Sequence, residues 1–274
     1  MTEPASFLGF PSAEQIGWFF STYLLEQIEA ARIDGRRYLL GCPTGRSPRP
    51  IYGAMADLLA AKPQDLSNLL LVMMDEYLVP DKNGFRYADE KNPWSCHHFV
   101  RAEMVDRWNQ HLPQEYRVRD ESIWFPDPKD PGEYDQRIAE AGGIDFFILA
   151  SGATDGHVAF NPPGTSRDSE TRIIALSEET RRDNLATFPA FGSLEAVPTH
   201  GISVGMTSIT AARECVMVAY GQAKRLTLKR MLGASRYEPD WPATIITECR
   251  GGAIVSDSET LKSIGPIQRP TPTE

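Results

Sequence analysis

No segment of the 274-residue chain approaches the roughly 18–20 consecutive apolar residues of a membrane-crossing helix, so a helical span is not expected. Positive charge is also scarce. Lys and Arg number 28 against 37 Asp and Glu, leaving a net charge of -9. Nucleic acid and anionic membranes favour a basic face, and neither is expected as a partner. A small anion is not excluded, because a few local donors can hold one phosphate inside an acidic protein. The opening residues, "MTEPASFLGFPSAEQ", lack the basic start and apolar middle of a secretory signal. Cysteines are few and scattered: Cys42, Cys96, Cys215 and Cys249 have no metal-like spacing. They read as reduced, mostly buried thiols of a cytoplasmic protein, and no metal site is expected. Internal repeats, linkers and low-complexity stretches are missing as well.

What is present suffices for a core: 41% of the residues are hydrophobic and 24% charged. Ser12 and Gln15 have capping-box spacing, and "IGWFFSTYLLEQIEAARI" after them has helical apolar spacing. Apolar strands are expected at "RYLLGC" (37–42), "NLLLVMM" (68–74) and "IDFFILA" (144–150), then at "HGISVGM", "CVMVAY", "ATIITE" and "GAIVS". An extended segment is expected at "SIWFP". Helices are expected over 49–61, 95–108, 178–187 and 222–232. Continuous apolar strands alternating with helices indicate α/β architecture: a mostly parallel sheet with helices on both faces. One domain over 1–264 is expected, with 265–274 a frayed tail rich in Pro and Thr.

In open parallel sheets, ligands bind beyond the carboxyl ends of the strands. Three strands here run into informative loops. The first loop, "CPTGRSP", offers Thr44, Gly45, Arg46 and Ser47: backbone donors, two hydroxyls and a cation just before a helix. That composition suits a phosphate cradle, although the Gly-Lys-Ser/Thr ending of a P-loop is missing. Gly, Ser and Pro also occur in such turns for backbone reasons alone. The second loop places Asp75 first after a buried run. It is either a turn cap or a base held at the mouth of a site. The third, "FFILASGATDGHVAFNPPGT", carries Asp155 and His157 on a turn between Gly and Pro residues. A solvated turn and a carboxylate–imidazole pair both fit it. His97 and His98 in "WSCHHF" point apart on a helix, which argues against a shared metal; one packed and one exposed histidine are expected. Trp18, Phe19 and Phe20 read as core, and "SEETRRD" as a solvated helix start.

Six ordered motifs resemble the family of glucosamine-6-phosphate deaminases and 6-phosphogluconolactonases: "GCPTGRSP", "MMDEYLVP", "GATDGHVAFNPP", "TRIIALSEETRRDN", "VPTHGISVGMTSI" and "GQAKRLTL". "MDEY" and "DGHVAFN" lean to the deaminase side. The resemblance implies a modified Rossmann-like fold, a small phosphorylated sugar as substrate, and no metal or organic cofactor. It implies that Asp75 moves a proton between carbons 2 and 1 of the opened sugar. It further implies that His157, with Asp155 beside it, helps to open the ring, and that residues 44–47 and Lys224 hold the phosphate. Self-association into a homo-oligomer is compatible with the sequence.

Three positions depart from the family pattern. Pro162 stands where deaminases carry a Glu that supports the ring-opening His. Ala186 stands where a phosphate-binding Arg is expected, leaving Arg46 or Arg182 to replace its charge. Arg172 matches an allosteric-site arginine, but Ile174 replaces the accompanying lysine. The leading expectation is a hexose or amino-hexose phosphate isomerase/deaminase with an altered ring-opening site. A lactonase and a non-catalytic sugar-phosphate-binding protein are the alternatives.

Overall fold

The computed structural model describes residues 5–265, so the tail expected at 265–274 lies outside the described residues but for Gly265. Eleven strands are described: β1 Ser6–Phe10, β2 Tyr38–Cys42, β3 Leu69–Met73, β4 Asp75–Asp81, β5 Gly84–Tyr87, β6 Ile123–Trp124, β7 Phe146–Leu149, β8 Arg172–Ala175, β9 His200–Ser203, β10 Glu214–Val218 and β11 Gly252–Asp257. Seven form one sheet in the order β1-β11-β10-β7-β2-β3-β6, and every pairing in it is parallel. The expected α/β class therefore holds. The other four form an antiparallel sheet, β5-β4-β9-β8, which the sequence patterns did not separate.

Helices cover both faces of the parallel sheet. Helices α1 (Ala13–Ile33) and α2 (Arg49–Ala61) share one core with alternate residues of the central strands, such as Leu40, Leu71 and Ile148. A helix running through α3 (Cys96–Phe99), a π-helical stretch (Val100–Val105) and α4 (Asp106–Asn109) joins that core. The opposite face buries Leu39, Leu70 and Phe147 under α5 (Pro131–Glu140), α7 (Met206–Ala211) and α8 (Arg225–Gly233). Period-two alternation along a strand, with both sets apolar, is what a doubly covered sheet demands. Two further helices, α6 (Glu178–Thr187) and α9 (Ser258–Ser263), complete the set. The Ser12 hydroxyl caps α1 as expected, accepting from the Gln15 amide at 3.3 Å.

Several expectations are corrected. "ATIITE" is a 3₁₀ segment, Pro242–Glu248, not a strand. Its β-branched run is buried throughout, and a short apolar run carries no period to distinguish the two. "HGISVGM" does form a strand, but in the antiparallel sheet. Of the aromatic trio, only Phe20 is core; Trp18 and Phe19 are exposed on the outer side of α1. His97 and His98 are both half-buried rather than one packed and one exposed. The four cysteines are free and buried.

Topology positions the site. β2 and β7 are neighbours, yet the chain continues from β2 toward β3 and β6, and from β7 toward β10 and β11. The loops leaving β2 and β7 therefore diverge over opposite faces and leave a crevice between them, the usual ligand position in such sheets.

Candidate active site

One cavity occupies that crevice. Its wall includes Thr44, Gly45, Arg46 and Ser47 from the loop after β2, Asp75 at the β3–β4 junction, His157 from the loop after β7, and Lys224 beyond β10. Asp155 sits behind His157. All eight residues singled out from sequence thus meet at one place, although they span 180 positions of the chain, 44 to 224.

The 44–47 loop is built to present donors. Gly45 has φ +91°, a left-handed conformation suited to glycine. Among the described residues, the amides of 44–47 have no hydrogen-bond acceptor. Pro48 at the start of α2 contributes no side-chain cap. Free amides at the positive end of a 13-residue helix make an anion seat. Arg46 lines the cavity, whereas Arg182 points to Glu178 on the surface of α6. Lys224 donates to the Ser151 carbonyl. Burial pulls its ammonium down to about 8 against the carboxylate of Asp183, Arg46 adding to the fall and Asp155 opposing it.

Asp75 is where the chain leaves the parallel sheet for the antiparallel one. Burial pushes its carboxyl from 3.8 up to about 7; the Cys96 thiol, donating to Oδ1 at 3.4 Å, opposes the rise, and the Glu76 charge adds to it. Glu76 itself is fully buried. It accepts from the amides of Tyr77, Cys96 and His97 and pairs with His97 Nδ1 at 2.5 Å, so it anchors α3 beneath the cavity. His97 stacks on Phe125 on the far side. It is a scaffold residue, not part of the cavity wall.

The Asp155-Gly156-His157 turn has a local cause. Asp155 Oδ1 accepts the His157 amide at 3.1 Å, an Asx turn, and Gly156 between them takes φ +67°. A Cβ on Gly156 would lie 2.4 Å from the Trp241 ring. His157 Nδ1 lies 2.7 Å from the same Asp155 oxygen. The Thr180 hydroxyl donates to the other oxygen at 3.2 Å. Burial would raise Asp155, but the bonds from His157 and Thr180 hold it below its usual range. Asp155 is therefore a carboxylate, and His157 Nδ1 carries the proton it receives. Nε2, with no partner among the described residues, is the nitrogen left for exchange.

Three site features escaped sequence reasoning. Asp183, read as part of a solvated helix, lines the cavity and accepts from the Ala153 amide at 2.9 Å. One donor atom each of Asp155, His157 and Asp183 lie within 4.8 Å of one another. Within the trio, Nδ1 of His157 is bonded to Asp155, and an Asp183 oxygen is bonded to the 153–154 loop. Gly152 is the second feature: a Cβ there would come within 2.3 Å of His157 Nδ1 and 2.4 Å of Asp155 Oδ1. The third is Asn161, whose amide tethers the loop to the carbonyls of Val158 and Val204. Pro162, next to it, is not in the cavity wall.

A model of the family described as glucosamine-6-phosphate isomerases/6-phosphogluconolactonase matches residues 11–255. A glucosamine-6-phosphate deaminase of an Exiguobacterium species is 32% identical over 230 residues, covering 82% of this chain and 81% of that protein. That of Rhodopirellula baltica is 32% identical over 245 residues, 87% of each. Among solved structures, a monomeric glucosamine-6-phosphate deaminase superposes with a TM-score of 0.77 at 22% identity, over 94% of this chain and 99% of that one. The 6-phosphogluconolactonase of Leishmania guyanensis gives 0.66 at 14%, over 96% and 100%. At those identities the two structures speak to the fold, while the sequence matches extend along most of the chain. This chain belongs to the glucosamine-6-phosphate isomerase/6-phosphogluconolactonase family.

Proposed function

We propose that this protein is a sugar-phosphate deaminase/isomerase, converting a 2-amino-aldohexose 6-phosphate of the glucosamine 6-phosphate kind into the ketose phosphate and ammonia. The observation that carries the reading is the pairing, in one cavity, of a carboxyl poised near neutrality with a carboxylate-backed imidazole, beside an anion seat.

The phosphate binds the 44–47 amides with Arg46 and Lys224, which fixes the sugar chain along the crevice. His157 Nε2 moves a proton from the anomeric hydroxyl to the ring oxygen, and the ring C1–O bond breaks to give the aldehyde. Asp155 stabilises the transient imidazolium. Asp75, ionised above about pH 7, takes the proton from carbon 2; that electron pair enters the C1–C2 bond, and the C1=O pair moves onto oxygen 1, which is protonated from the substrate's own ammonium. The same carboxyl returns that proton to carbon 1. The nitrogen on carbon 2 is left as an iminium, which water converts to the ketone with release of ammonia. These are proton transfers and a hydration, and the groups named supply them. On a hexose phosphate without nitrogen, the same steps end in aldose–ketose isomerisation.

Lactone hydrolysis needs an activated water and a stabilised oxyanion, but no base at carbon 2. The relatives at 32% identity, both named deaminases, favour the first reading. Ammonia and ketose assayed separately, over hexose 6-phosphates, amino-hexose 6-phosphates and 6-phosphogluconolactone, test it. Equimolar ammonia and ketose from an amino-hexose phosphate are expected. Lactone hydrolysis with neither product from any sugar overturns the proposal.

A further inference from the structure

We infer that Cys96 is a positioning residue for Asp75: its thiol locks one carboxylate oxygen from behind, so that the other is the one that carries the proton between the two carbons. The inference rests on the proton-shuttling role proposed for Asp75 and adds a residue to it. Cys96 lies 21 positions after Asp75 and donates through Sγ to Asp75 Oδ1 at 3.4 Å. It is fully buried and absent from the cavity wall, so it acts through Asp75 and not on the sugar.

The residues beside Asp75 fix where that sulfur sits. Cys96 opens α3, and Ser95 caps the helix, its hydroxyl accepting from the His98 amide at 3.0 Å. Glu76, the residue after Asp75, accepts from the amides of Cys96 at 3.1 Å and His97 at 2.8 Å. The strand that carries the base therefore also clamps the helix end that carries the thiol, and neither shifts without the other. The sulfur is held from its other side as well, by Thr44 Oγ1 at 3.6 Å. The single thiol hydrogen is committed to the carboxylate, so the Thr44 hydroxyl donates to the sulfur. Thr44 belongs to the anion seat, and seat and base thus meet at one buried atom.

The terminal torsion of an Asp carboxylate is broad and two-fold, so nothing in the side chain itself distinguishes its two oxygens. The thiol supplies the distinction. Oδ2, with no partner among the described residues, is left to the cavity. Burial pushes the Cys96 thiol well above its usual range, so its hydrogen stays in place at neutral pH. A thiol is a weak donor, which orients a carboxylate while leaving it basic; Asp75 still stands at about 7. The bond to Oδ1 is the same whether Oδ2 is bare or protonated, so the lock holds while the proton waits for carbon 1.

The test is Cys96→Ala, turning over an amino-hexose 6-phosphate deuterated at carbon 2 in ordinary water at initial rate. The readouts are kcat, KM and the fraction of ketose molecules that carry the label at carbon 1. kcat is expected to fall about five- to tenfold, the worth of one net hydrogen bond, with KM close to that of the wild type. The carried fraction is expected to drop to roughly half the wild-type fraction or less, because a freed two-fold torsion turns the proton-bearing oxygen away and solvent exchange competes. A merely structural role lowers kcat without changing that fraction. Affinity for an acyclic polyol phosphate of the same chain length is expected to stay at the wild-type value, which separates a freed carboxylate from a damaged anion seat. An unchanged fraction, an affinity that falls in step with kcat, or a wild type that carries no label overturns the inference while Asp75 keeps its role. If Asp75→Asn itself carries the label to carbon 1 at the wild-type rate, both readings fall.

Discussion

Asp75 is required to be a base in a place that disfavours its charge, and the conflict has a measurable size. The carboxyl is held at about 7 in the fold against an ordinary 3.8. The unfolded chain loses this proton first, so between those two pH values the native state binds more protons and stability falls as pH rises. Above about 7 the whole penalty is present. A gap of about three pH units, at roughly 1.4 kcal/mol each, opposes folding by about 4 kcal/mol. At pH 5 only about a third of that applies. Asp75→Asn is neutral throughout and keeps an oxygen to accept from the Cys96 thiol. The variant should gain on the wild type as pH rises, by roughly 2–3 kcal/mol between pH 5 and pH 8.5. Urea unfolding midpoints of both proteins at the two pH values read this directly. The same variant should lose about 10²- to 10⁴-fold in kcat, so stability and activity move in opposite directions. An advantage that does not change with pH, or an equal destabilisation at both values, refutes a desolvated carboxyl at this position.

Two other substitutions probe the walls of the cavity. Lys224→Ala should raise KM for a phosphorylated substrate by on the order of 10²-fold, the worth of a charge-assisted phosphate contact, with kcat much less affected; initial-rate kinetics separate the two. In the wild type, KM should climb as pH passes about 8, where the Lys224 ammonium gives up its charge. Gly152→Ala places a methyl where His157 Nδ1 and Asp155 Oδ1 lie, at 2.3 and 2.4 Å. It should displace the pair and lower kcat by about 10²-fold or more, while substrate-phosphate affinity measured by calorimetry stays close to wild type.

Seven of the eight candidate residues were legible because each lies just past a strand end in a locally distinctive loop, where turn glycines, hydroxyls and an Asx pair write their chemistry into consecutive residues; Lys224, on the 3₁₀ turn after β10, was reached through the family resemblance alone. Asp183 was not legible for the converse reason. In "SEETRRDN" it is one charge among several on a polar helix, and only the packing of α6 over the loop after β7 brings it to His157. Gly152 gave no signal either, since its value lies in the absence of a Cβ facing two side chains later in the chain. The antiparallel sheet was hidden because β5 and β8 are four residues each and half exposed, too short for a period to show. "ATIITE" misled through composition: β-branched residues packed on all sides look the same in a strand and in a buried 3₁₀ turn.

The central claim is that one buried carboxyl carries a proton between carbon 2 and carbon 1. It is tested most directly by turning over an amino-hexose 6-phosphate in D2O and locating deuterium in the ketose product by NMR. The wild type should place deuterium at carbon 1, at less than full occupancy because part of the original proton is returned from Asp75, and Asp75→Asn should form product and exchanged substrate about 10²- to 10⁴-fold more slowly. Product formation by Asp75→Asn at a rate near that of the wild type, with carbon 1 labelled as before, contradicts the account.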